Sequence, residues 1–161
     1  MKYTKWLTRT AILLALTLVV QALGFPAYIT GPLVNMMLLL ATILVGLESG
    51  LLIGALTPWI ALVRGILPPP LAVMIPFIII SNLLWVLIYH FLAKKNKYLG
   101  IGLAALSKYG ILASAVNFLV NVPPKIATLM QVPQLLTALA GGLLALSIVK
   151  AINLSDVLEE K

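Results

Sequence analysis

The sequence predicts an all-α integral membrane protein, a bundle of six transmembrane helices with both termini in the cytoplasm. Three observations lead there. First, 62% of the residues are hydrophobic and 9% are charged, whereas a soluble domain carries about 25% charged residues. A water-soluble fold of this length lacks the polar residues for its shell, so hydrocarbon must solvate most of the surface. Second, the apolar residues form continuous runs of helical length, not the alternating pattern of a membrane barrel. Third, the basic residues stand in short clusters beside those runs, as topology signals do.

The runs follow in order. The first covers 7–23 and stops at Gly24-Phe25-Pro26. The second starts after Gly31-Pro32 and continues from Leu33 to Val63, with a weak point at 46–50. As one helix its 31 residues would be about 46 Å long at 1.5 Å per residue, against a hydrocarbon core of about 30 Å. Split there, it becomes spans 33–46 and 50–63, with Glu48 and Ser49 between glycines in a tight inner turn. Arg64 to Pro70 forms the next loop, and three successive prolines at 68–70 suggest an extended, stiff cap. Spans 71–93 and 98–120 flank the cluster Lys94, Lys95, Lys97. A proline-rich loop carrying Lys125 precedes the last span, 134–152, and an acidic tail with Asp156, Glu159 and Glu160 follows.

Charge placement favours six spans. Threaded with the N-terminus inside, the cytoplasmic segments hold Lys2, Lys5, Arg9, Lys94, Lys95, Lys97, Lys150 and Lys161, and the outer loops hold only Arg64 and Lys125. Five spans would carry the Lys94 cluster outside, against the positive-inside bias. The first run resembles a signal peptide, with Val20-Gln21-Ala22 as a tolerable cleavage context. Its removal would leave the wrong parity, so it reads as a retained helix with Trp6 as interfacial anchor. The net charge of +7 therefore reports topology and not nucleic-acid binding.

Catalysis finds few candidates. There is one His, His90, beside Tyr89, and no Cys. Metalloprotease, nucleophile-elbow and phosphate-loop motifs are absent, so no enzyme activity, cofactor or metal is expected. Intramembrane polar groups are more informative. Lys108 lies near the middle of its span, where a charge needs a partner, water or an anionic ligand. Asn82, Trp85 and Tyr89 share one helix face. Ser107, Ser114 and Asn121 do the same on the next span, with Asn117 nearby. These faces hydrogen-bond between helices or line a cavity that grips a small polar molecule. Tyr28, Asn35, Trp59, Arg64, Lys125, Gln131 and Gln134 cluster near the outer ends. Ala11 and Ala15 form a small-xxx-small pair that permits close helix approach.

With these elements assembled, the chain resembles the substrate-binding S component of energy-coupling factor (ECF) transporters. The resemblance spans nearly the whole sequence. It rests on the basic N-terminus leading into Ala11-xxx-Ala15, on Gly31-Pro32-Leu33-Val34-Asn35 and on Gly54-Ala55-Leu56-Thr57-Pro58. The loop 64–70 and the segment 76–82 complete it. The resemblance implies capture of a vitamin, precursor or related micronutrient on the outer face of a prokaryotic plasma membrane. It implies a transmembrane coupling subunit and two cytoplasmic ATPase subunits as partners. On that analogy Ala11 and Ala15 dock the coupling subunit. Asn35, Arg64, Asn82, Trp85, Lys108, Asn117, Asn121 and Gln134 are the candidate substrate contacts, under the loops 25–32 and 64–70. The N-terminus lacks the His motif of the nickel and cobalt branch, so a metal substrate is not expected. A non-transporting structural protein similar to the rod-shape determining proteins is the alternative; it would hold no ligand.

Overall fold

A computed structural model describes residues 2–159 and the side chains of 3–152. The charges at Lys2, Asp156, Glu159, Glu160 and Lys161 lie outside the described side chains. Among the described residues the chain is helical, without strands. The helices are α1 (Lys2–Ala22), α2 (Ala27–Leu44), α3 (Leu47–Val63), α4 (Ile75–Leu92), α5 (Lys97–Ser114), the short α6 (Pro124–Leu129) and α7 (Val132–Glu159). Five helical stretches, 3–22, 27–44, 69–92, 97–119 and 124–152, are long and apolar enough to cross a membrane. The remaining one, α3, is equally apolar but has 17 residues.

At the centre stands α2, packed against α1, α3, α4 and α7. Met37 to Thr42 are all buried, so this stretch is enclosed on every side. Such a helix must be apolar all round. Two glycines of α7 let its neighbours close in. A Cβ at Gly141 would stand 2.5 Å from the Pro32 carbonyl oxygen of α2, and one at Gly142 would stand 2.7 Å from Ile101 of α5. Small residues at such crossings replace the hydrophobic driving force that lipid cannot supply.

The long apolar run from Leu33 to Val63 does break, at Gly46, whose φ of +132° suits only glycine. The turn is tighter than the expected 46–50. Glu48, Ser49 and Gly50 already belong to the first turn of α3, where the Glu48 carboxylate complements the helix dipole. Gly50 serves packing: a Cβ there would collide with the Thr42 hydroxyl. Upstream, the sequence suggests a start at Leu33, yet α2 begins at Ala27, directly after Pro26. Pro32 sits inside the helix, at the cost of one backbone bond near its start.

The prolines at 68–70 are not wholly extended. Pro68 is, with ψ 139°, but Pro69–Met74 wind into a 3-10 helix. Proline's fixed φ fits that helix, and its missing N–H falls where the first turn has no acceptor to offer. Leu71 N–H donates to the Pro68 carbonyl at 2.9 Å. At its far end α5 opens into a π turn, Ala115–Leu119, closed by Val120 N–H donating to the Ala115 carbonyl at 2.9 Å. The loop expected at 121–133 contains α6, started by Pro123 and Pro124.

Candidate functional site

A buried lysine organises the polar interior. Lys108 of α5 is 4% exposed. Its Nζ donates to Asn35 Oδ1 of α2 and to Asn82 Oδ1 of α4, each at 2.6 Å. Both are short for N–H···O bonds. The side chain does not snorkel toward an interface; two amide oxygens hold it inside the bundle.

Each amide has its own support. Asn82 Nδ2 donates to the Gly54 carbonyl of α3 at 3.1 Å. That carbonyl lies four residues before Pro58, which has no N–H to give it. The amide therefore presents nitrogen to α3 and oxygen to Lys108. Gly54 permits the approach, since a Cβ there would lie 3.2 Å from Asn82 Cβ. Trp85, fully buried, directs its indole N–H at the Asn35 carbonyl at 3.4 Å, so it buttresses Asn35 from α4. Tyr89 is buried on the same face.

Above the cluster lies a cavity of about 690 Å³, within the range of small-molecule sites. Asn35, Asn82, Lys108 and Gln134 contribute its polar wall. Leu67, Leu71, Ile78, Leu112 and Met130 make much of the apolar wall, and Gly24, Phe25, Ala27 and the segment 65–68 also line it. Gln21 of α1 also lines it, and Gln21 Oε1 is the one buried side-chain polar atom without a partner among the described residues. No described residue forms an ion pair with Lys108.

A protein-family comparison matches residues 5–155 to the ECF transporter, substrate-specific component. The chain belongs to that family. No curated protein and no solved structure matches it. The family is one of transporter components and not of enzymes, and it accounts for a membrane bundle built around a small-molecule cavity.

The other candidate contacts of this S component are placed as follows. Arg64, Asn117 and Asn121 are exposed and do not line the cavity. Asn117 Nδ2 donates back to the Ala113 carbonyl at 2.8 Å. Ser114 is exposed and Ser107 half-buried, so the expected inward stripe on the fifth span is not formed. Ser107 and Ser114 stand beside the inward face of α5, which runs through Ala104, Ala105, Lys108 and Leu112, and the π turn shifts the register only beyond Ser114, where it affects Asn121. Trp85 lies beneath the cavity as a support and is not among its lining residues. Ala11 and Ala15 are exposed on α1, while Thr10 and Thr17 face the bundle and Thr10 Oγ1 donates to Ser49 Oγ at 3.0 Å. Gln21 has no place among the sequence candidates. The signal was available: Thr10, Thr17 and Gln21 share one face at helical spacing.

Proposed function

We propose that the chain is the substrate-capture subunit of an ECF-type importer in a prokaryotic plasma membrane. It takes a vitamin or related small micronutrient from the extracellular side. It delivers that substrate with a transmembrane coupling subunit and two cytoplasmic ATPases. The observation that carries this reading is the cavity of about 690 Å³ with Asn35, Asn82, Lys108 and Gln134 in its wall, in a chain of the substrate-specific family.

Charge supports the orientation. Lys94, Lys95 and Lys97 join α4 to α5, and Lys97 and Lys150 line one small cleft together. The cavity lies toward the opposite loops, which hold Arg64 and Lys125. The positive-inside bias then puts the Lys94 end in the cytoplasm and the cavity outside. That threading makes α3 a sixth span, about 26 Å long at helical rise, close to the thickness a thinned bilayer tolerates. Ala11 and Ala15 offer the coupling subunit a smooth exposed strip on α1. The sequence carries no ATP-binding motif, so the energy comes from partners.

The test is extraction of small molecules from the denatured, purified chain, with mass spectrometry, beside co-purification from cells that express a coupling module. A retained micronutrient and a co-purifying coupling subunit are expected. A chain that carries no small molecule, binds no module and leaves uptake unchanged on deletion refutes the importer reading.

A further inference from the structure

The wall of the cavity carries an unbalanced set of hydrogen-bonding groups. A lysine ammonium has three donors, and Lys108 uses two of them on Asn35 Oδ1 and Asn82 Oδ1. The third has no acceptor among the described residues. Asn35 spends its oxygen on Lys108, and its Nδ2, which is not fully buried in the wall it lines, meets no acceptor among them. Two adjacent donors, one of them cationic, thus stand at the cavity with nothing to receive them. On α1 the imbalance is the reverse: Gln21 Oε1 is a buried acceptor without a donor.

Charge narrows the occupant further. The only acid among the described side chains is Glu48, at the Gly46 turn, and it does not line the cavity. Arg64 and Lys125 are exposed and do not line it either. The site therefore offers one positive charge in low dielectric, where a lone charge is costly and an equal opposite charge removes the cost. A dianion such as a phosphate monoester would bring an excess charge that nothing else in the wall neutralises.

We propose that the cavity takes a small monocarboxylate, its two oxygens received by Lys108 Nζ and Asn35 Nδ2, with a hydroxyl or N–H group of the same molecule donating to Gln21 Oε1. This deepens the importer reading and rests on it. The carboxylate cancels the one buried charge, and its two oxygens suit two neighbouring donors. Leu71, Ile78 and Leu112 then enclose an apolar middle of the ligand. Asn82 is the positioning residue: its Oδ1 accepts from the ammonium while its Nδ2 is fixed by the Gly54 carbonyl.

The test uses the full chain in detergent. Any compound extracted from it is identified, and a panel of vitamin-sized monocarboxylates, each paired with its primary amide, is titrated by thermal shift and calorimetry. We expect the extracted compound, or at least one panel acid, to bind through a carboxylate. Its amide should bind about 30-fold more weakly or worse, since a buried charge pair is broken, and Lys108→Met should lose a comparable factor. Comparison of acid and amide on the unaltered chain decides the matter even if Lys108→Met does not fold. An amide that binds within threefold of its acid overturns the proposal. So does a neutral or cationic extracted compound, or a panel of which no acid binds while nothing acidic is extracted. A neutral extracted compound with intact uptake would leave the importer reading standing and remove only the carboxylate.

Discussion

Pro58 and Asn82 are joined through a carbonyl group. Pro58 has no N–H, so Gly54, four residues earlier in α3, keeps a carbonyl that no helical donor satisfies, and Asn82 Nδ2 fills it at 3.1 Å from α4. The same amide then has only its oxygen left for Lys108, at 2.6 Å. A helix-breaking residue on one element thereby fixes an amide on another, and that amide holds the buried charge.

Replacement of both residues measures this link. Asn82→Ala leaves the Gly54 carbonyl and one Lys108 donor unpaired, and we expect a loss of about 1–3 kcal/mol in unfolding free energy. Pro58→Ala restores an N–H for Gly54. In that background Asn82→Ala should cost about 0.5–1 kcal/mol less, a coupling of the size found between polar groups in membrane bundles. Reversible denaturation of the four variants in detergent gives the cycle, and strict additivity would show that the proline and the amide act independently.

Gly141 tests the close crossing of α2 and α7. A methyl group there meets the Pro32 carbonyl at 2.5 Å and Asn35 Cβ at 2.7 Å, and both belong to a buried helix with little room to shift. Gly141→Ala should cost about 1–3 kcal/mol through overpacking and weaken ligand binding by displacing Asn35. Gly110→Ala, with open space around it, is the control and should stay within about 0.5 kcal/mol of the parent. Equal melting temperatures for the two variants would contradict the tight crossing.

How much of this was legible beforehand depends on the physics behind each feature. Composition and charge suffice for a helical membrane bundle, because hydrocarbon solvation forces one. Lys108 stands out as a charge in an apolar span, and Asn82, Trp85 and Tyr89 share a face by simple periodicity. The stripe fails at Ser114 because the inward face of α5 runs through Ala104, Lys108 and Leu112, and at Asn121 because a π turn changes the helical pitch with no strong sequence mark. Pro32 suggests a helix start at Leu33, but α2 runs through it from Ala27 because packing around that helix outweighs one lost bond. Gln21 carries an ambiguous signal, since its context, Val20-Gln21-Ala22, also fits a processing site. The functions of Gly54, Gly141 and Gly142 depend on which helices meet, which no single sequence states.

The orphaned acceptor of Gln21 makes an asymmetric prediction. Gln21→Leu removes a buried oxygen that has no donor among the described residues, so it should leave stability unchanged or raise it by about 1 kcal/mol. If the bound molecule donates to that oxygen, the same change lowers ligand affinity, by about 3–10-fold for one neutral hydrogen bond. Thermal unfolding without ligand and titration with ligand read the two effects separately. A variant that is both less stable and unaltered in affinity would make Gln21 a packing residue.

Threading is open to direct labelling, because the natural chain has no cysteine. Lys95→Cys and Lys125→Cys each create one unique thiol, at opposite ends of the bundle. In intact cells a membrane-impermeant maleimide should modify the position in the α6 segment and spare the one between α4 and α5. The reverse pattern, or labelling of both, would put the cavity on the wrong side for capture from outside.

The exposed strip of α1 gives the sharpest separation between binding and transport. Ala11 and Ala15 are exposed, while Thr10 and Thr17 are turned into the bundle. Indole groups at 11 and 15 therefore extend away from the core and the cavity. The double variant Ala11→Trp, Ala15→Trp should keep the parent's melting temperature and ligand affinity. Two bulky rings nonetheless destroy the smooth surface that lets a second helix approach closely, so co-purification of the coupling subunit and cellular uptake should both fall to background. Uptake at the parent rate would move the docking surface to another helix. Lost binding with docking intact would show instead that α1 shapes the cavity through more than Gln21.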